Sequence, residues 1–307
     1  MNRRPDTVAA PARRPAVAGA FYPADPDDLA GSVDGMLATA RPPDEATAAA
    51  RALGLAGILV PHAGLVYSGG VAAVAWRLAA SLPAEGEPGA TTIVMLGTNH
   101  GAGWLDGVGI WDAGAWQTPL GDVDVDEGLA AEIAALGPPF VVDRDAHRSE
   151  HSLEVQLPFV IRALPGARIV PLAIGYGTGE SAVSAGQRLG ARLGERRARG
   201  AQILLVISTD MAHYPPAAIG TRVTEELEPD ILALEPARLA RREAEVTRSG
   251  RPGIACGMCG IEAAVFGLAA LRAMGVVRGI RLAAATSADA GGTPMRTVGY
   301  LASAFPG

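Results

Sequence analysis

The chain of 307 residues contains no lysine; all 26 of its basic residues are arginine. This excludes a P-loop lysine, a Schiff-base lysine and a pyridoxal phosphate anchor, because arginine does not deprotonate near neutral pH. Cysteine is scarce as well. The only two, Cys256 and Cys259, lie three positions apart, cannot staple a secreted domain, and lack the second pair that a structural zinc site needs. Aromatics make up 5% of the chain, and no apolar run reaches the roughly 18 residues of a membrane span. The net charge of -6 argues against binding nucleic acid or an anionic membrane, which requires neutralised phosphates. The expectation is a cytoplasmic protein with a small-molecule or peptide ligand. Residues 1–14 have arginines but no continuous apolar stretch, and read as a disordered start rather than a signal peptide.

What is present is a regular alternation. Short runs rich in Val, Ile and Leu (55–60, 91–97, 168–174, 201–208 and 279–285) have the character of strands buried on both faces. Between them, 71–82, 126–136, 152–164, 181–198 and 259–275 carry helical spacing, and 297–305 alternates like an edge or antiparallel strand. The pattern predicts a single α/β domain with a mainly parallel central sheet flanked by helices. Residues 38–54 and 83–90 read as loops, with 38–54 the more flexible.

The few histidines fall where such a sheet does chemistry. The strand at 55–60 runs into His62, the strand at 91–97 into His100, and the strand at 201–208 into Asp210 and His213. Ligands of open α/β sheets bind beyond the carboxyl ends of the strands, so these ends point to one shared site. His147 and His151 lie in DRDAHRSEHSLEVQLP, where Ser149 or Ser152 is placed to cap a helix and Glu150 and Glu154 to orient an imidazole. Cys256 and Cys259 precede an apolar helical run, where either can serve as ligand or nucleophile, or both simply pack.

Six motifs in order, AGAFYPAD (18–25), LVPHAGLVYSGGVAA (59–73), LGTNHGAG (96–103), EHSLEVQLPF (150–159), STDMAHY (208–214) and ACG (255–257), resemble the Memo family, whose bacterial and archaeal members are called AmmeMemoRadiSam system protein B. The resemblance covers residues 15–307. It implies a fold similar to the class III extradiol ring-cleaving dioxygenases and a metal pocket of His62, His100 and Cys256. Asp210 and His213 are then the catalytic pair, His151, Glu150 and Tyr67 contact substrate or support the ligands, and Cys259 is a possible resolving thiol. The implied cofactor is iron(II), with copper or zinc as alternatives, since a thiolate replaces the carboxylate of the usual two-His-one-carboxylate set. The family name also implies a pathway shared with a radical S-adenosylmethionine protein. Three functions follow as expectations: a metal-dependent, dioxygenase-like oxidoreductase, a peptide- or partner-binding module with Arg144 or Arg148 at its rim, and a metal-free hydrolase using Cys256, His213 and Asp210.

Overall fold

Two of the most apolar short runs, LAGILV and ILLVIS, lie side by side in the middle of one sheet, every residue of both buried. The structure is a computed structural model that describes residues 12–82, 91–175 and 177–307. The expected loop at 83–90 and the first eleven residues of the expected disordered start lie outside the described residues.

The chain begins with β1 (Ala12–Arg13), α1 (Pro26–Thr39), α2 (Asp44–Leu53), β2 (Leu55–Val60), α3 (Leu65–Ala80) and β3 (Thr92–Thr98). Then come β4 (Val108–Ile110), β5 (Ala115–Thr118), β6 (Gly121–Asp124), α4 (Glu127–Ala134), β7 (Phe140–Val142), α5 (Leu157–Ala163) and β8 (Arg168–Ile174). The last part holds α6 (Glu180–Ala198), β9 (Ile203–Ser208), α7 (Ala217–Leu232), α8 (Pro236–Thr247), α9 (Ile261–Ala273), β10 (Ile280–Thr286) and β11 (Gly299–Pro306).

Eight strands form the main sheet in the order β10-β11-β2-β9-β3-β8-β4-β7, and β1-β5-β6 form a small second sheet. The central four, β2-β9-β3-β8, are all parallel. The flanks add antiparallel pairings, β11 with β2 and β10 and β4 with β8, while β4 and β7 pair in parallel, so the sheet is mixed around the mainly parallel centre that was expected. The run at 297–305 is antiparallel but interior, and β10 is the edge.

The chain crosses from β2 to β3 in one direction through α3 and from β8 back to β9 in the other through α6. Right-handed crossovers in opposite directions place their helices on opposite faces. Accordingly α3 packs on β2 with α1 and α5 beside it, while α9 covers β3, β8 and β9 and packs against α6. Just past the carboxyl ends of β2, β9 and β3 lie His62, Asp210 and His100, the first two of them buried.

Two expectations are corrected. Residues 44–53, read within a flexible loop, form α2, because Ala46 and Ala50 are buried and Gly54 ends the helix at φ +82°. Residues 12 and 13, counted with the disordered start, form β1 on β5, with the Arg13 side chain inside the protein. Among the described residues no helix is long and apolar enough to cross a membrane.

Candidate functional site

β9 lies between β2 and β3, so Asp210, two residues past β9, is flanked by His62 past β2 and His100 past β3. The Asp210 carboxylate ties the first of these loops down: Oδ1 accepts the backbone N–H of His62 at 2.7 Å and of Ala63 at 3.2 Å. Burial pushes the Asp210 carboxyl up to about 7, against the pull of those two N–H groups. It therefore exchanges a proton near neutral pH.

The His62 ring is buried, with Nδ1 3.1 Å from Ser208 Oγ and Nε2 3.2 Å from Cys259 Sγ. The His100 ring has Nδ1 2.9 Å from Glu150 Oε1, and its backbone N–H donates to Glu150 Oε2 at 2.7 Å. Burial alone would raise Glu150, but its hydrogen bonds from His100 and from the Ser152 N–H hold it down at about 2. A carboxylate behind an imidazole is the arrangement that fixes a metal-binding histidine. His151 stacks on His100 with ring centroids 4.6 Å apart, stands edge-on to His62 at 5.5 Å and touches Phe21. Burial lowers the pKa of both His62 and His151, so at neutral pH these rings hold the neutral, metal-binding form.

The loop carrying Glu150, His151 and Ser152 is held by residues far away in sequence. Arg13, 2% exposed, donates to the His147 carbonyl at 2.7 Å, to the Glu150 carbonyl at 2.6 Å and to Glu154 Oε2 at 2.7 Å, with its guanidinium over the Trp116 ring. Glu154 in turn accepts from Ala16 N–H, Val17 N–H and the Tyr22 hydroxyl. The loop lies against β3 because Gly97 has no side chain: a Cβ there would come within 2.6 Å of Ser152 Oγ and of Leu153. Ser152 caps no helix; its hydroxyl donates to the Thr98 carbonyl.

The cysteines reverse the expected order. Cys259, not Cys256, joins the histidines: the ligand atoms of His62, His100 and Cys259 lie within 4.8 Å of one another, as do those of Asp210, His213 and Cys259. A backbone exchange sets this register, the Cys259 N–H donating to the Asp210 carbonyl at 3.2 Å and the Asp210 N–H to Cys259 Sγ at 3.4 Å. Gly260 permits it, since a Cβ there would strike Thr98 and Thr209 at 2.6–2.7 Å. Cys256 meets His213 through the backbone instead, accepting the His213 N–H on its carbonyl at 3.1 Å, and belongs to no such ligand group among the described residues. Burial pushes the Cys256 thiol up to about 11 and also raises Cys259, whose second cause is the neighbouring Asp210. Neither is an activated thiolate in the metal-free protein.

His213 completes the group. Its Nε2 is 3.9 Å from Asp210 Oδ2, and is buried with no hydrogen-bond partner among the described residues. Burial, then the charges of His100 and His151, depress it to about 4. Tyr67 stands in the first turn of α3, 45% exposed. Arg144 and Arg148, expected at a binding rim, are paired with Asp112 and Asp145. Sequence reasoning missed Arg13, Gln156 and Ser208. The available signal was polar residues at positions an apolar helix or strand buries, as in SLEVQLPF and ILLVIS.

Residues 13–304 match the family model described as Memo-like protein. A MEMO1 family protein of Methanothermobacter thermautotrophicus is 33% identical over 288 residues, covering 94% of this chain and 98% of that one. One from Aquifex aeolicus is 34% identical over 295 residues, covering 95% and 98%. Among solved structures, an uncharacterized protein from Escherichia coli K12 superposes with a TM-score of 0.50 at 16% identity, covering 81% of this chain and 99% of that one, which supports the fold. With six ordered motifs, a full-length family match and relatives spanning nearly their whole length, the chain belongs to the Memo-like family.

Proposed function

We propose that this protein is a metal-dependent oxidoreductase that binds one iron(II) ion through His62, His100 and Cys259. The observation that carries the reading is the convergence of those three ligand atoms at the strand ends, two of them on rings kept neutral or backed by a carboxylate. The donor set fits a transition metal, and His213, its buried Nε2 without a partner among the described residues, shares Cys259 with it through a second group that includes Asp210. Two imidazoles and a thiolate also suit copper(I) or zinc, so the metal's identity is part of the test.

A bound iron or copper ion would supply one-electron chemistry and a local positive charge. The chain's own residues do the rest. Glu150 holds His100 through Nδ1 and the backbone, leaving Nε2 as the donor atom. Asp210, its Oδ1 occupied by two N–H groups, holds or releases a proton at Oδ2, next to His213 Nε2. Val66, Tyr67, Trp104 and Tyr214 are exposed on the segments that follow β2, β3 and β9, and we propose them as apolar contacts for a small molecule or peptide. The metal-free hydrolase reading loses its support, since Cys256 reaches His213 only through the backbone and its thiol is raised.

The test is anaerobic purification followed by loading with Fe(II), Cu(I) or Zn(II) and elemental analysis. One metal per chain is expected, lost in His62→Ala and Cys259→Ala and kept in Cys256→Ser. Metal-free wild-type protein after all three loadings overturns the proposal.

A further inference from the structure

Behind His62 lies a chain of buried polar side chains, Ser208, Ser152, Gln156 and Trp76, each at most 1% exposed. Counting protons along it determines which nitrogen of His62 carries hydrogen.

The count starts at Trp76, whose indole N–H can only donate. It donates to Gln156 Oε1 at 3.1 Å. At the other end of the same amide, Nε2 donates at 2.8 Å to the Pro61 carbonyl, which can only accept. Both ends of Gln156 are therefore fixed, and flipping the amide would set donor against donor and acceptor against acceptor in a buried place. Its second N–H points at Ser208 Oγ, 3.3 Å away. Ser208 has one proton, and it goes to the Ser152 carbonyl at 2.7 Å, another pure acceptor. Ser208 Oγ then has only lone pairs left for His62 Nδ1 at 3.1 Å. Nδ1 must carry the hydrogen, and in the neutral ring Nε2 is bare.

We propose that Ser208, oriented by Gln156 and Trp76, is a positioning residue that locks His62 as the Nδ1–H tautomer and so aims a lone pair at the metal position. Free histidine in water favours the opposite tautomer, so the protein reverses the intrinsic preference. The other tautomer would leave Nδ1 facing the Ser208 lone pairs with no hydrogen between them; such a mismatch in a buried site shifts a population on the order of tenfold or more. The two histidines are then prepared differently: a carboxylate backs His100, a neutral hydroxyl backs His62. The tautomer belongs to the metal-free protein; only its effect on affinity rests on the metal reading.

The test is two-bond 1H–15N correlation on metal-free protein with 15N-labelled histidine rings, with Co(II) affinity measured in parallel. Wild type is expected to show Nδ1 protonated and Nε2 bare at His62. Ser208→Ala should move His62 toward Nε2–H and weaken Co(II) about tenfold or more, while Ser208→Thr keeps both. Trp76→Phe should shift the tautomer in the same direction as Ser208→Ala. Val206→Ala, on the same strand but outside the chain of hydrogen bonds, should lower stability and leave the tautomer alone. An Nε2–H His62 in wild type, or an unchanged tautomer in Ser208→Ala, overturns the proposal. If Ser208→Ala does not fold, the wild-type spectrum still decides. A confirmed tautomer with no Co(II) binding would fail the metal reading and leave the lock standing.

Discussion

Replacing Glu150 by glutamine keeps the shape of the side chain and removes its charge. Three N–H groups point at this buried carboxylate: the His100 backbone, the His100 ring and the Ser152 backbone. A glutamine NH2 must face at least one of them, donor against donor. The carboxyl, held at about 2 instead of its ordinary 4.5, contributes about 3 kcal/mol of stability at neutral pH. The sign follows from the depressed value: the contribution is full above 4.5 and is lost as pH falls from 4.5 toward 2. Urea unfolding of metal-free wild type and Glu150→Gln, in steps from pH 7 to pH 2.5, should show a gap of about 3 kcal/mol that closes on the acid side. Affinity for a divalent metal should fall about 10- to 100-fold in the variant, the usual cost of losing the group behind a ligating histidine. A stability gap that stays constant between pH 7 and pH 3 would refute the account of Glu150 as an ionised, N–H-bound carboxylate.

Arg13→Met leaves Glu154 buried without its cation and removes the ties to the His147 and Glu150 carbonyls; unfolding should show a loss of about 3–5 kcal/mol, with weakened metal binding because the Glu150 loop is released. Gly97→Ala drives a methyl into Ser152 and Leu153, and denaturant titration should show a loss of about 1–3 kcal/mol. Asp210, raised to about 7, favours folding when protonated, so the protein pays for its ionised form increasingly from about pH 4 to 7. Asp210→Asn should therefore gain stability relative to wild type across that range, as read by urea midpoints at pH 5 and pH 8.

Legibility in the sequence tracked hydrophobic density. LAGILV and RIVPLAI are strands at the predicted bounds, because each is a dense apolar run, buried throughout in LAGILV and from the second residue on in RIVPLAI. The helices α1, α2, α7 and α8 did not stand out. Each buries a narrow stripe, such as Leu29, Val33 and Leu37 in α1, set among polar or alanine positions. The short strands β4 to β7 are three or four residues long, below what periodicity resolves. In the candidate site, His62 and His100 fall in one group of neighbouring ligand atoms and Asp210 and His213 in another, each with Cys259; His62, His100 and Asp210 sit two residues past their parallel strands, where a residue has little freedom of position. Cys256 and Cys259 both sit in a turn before α9, where three residues of irregular backbone decide which thiol faces inward; that depends on hydrogen bonds to Asp210 and His213, which no local pattern encodes. Arg13 was invisible for a related reason, its partners lying more than 130 residues away.

The central claim is that Cys259, with His62 and His100, holds the metal. X-ray absorption at the edge of the bound metal measures this directly. The account predicts one sulfur neighbour at about 2.3 Å among nitrogen or oxygen ligands, gone in Cys259→Ser and retained in Cys256→Ser. A sulfur neighbour that survives in Cys259→Ser and disappears in Cys256→Ser would contradict it.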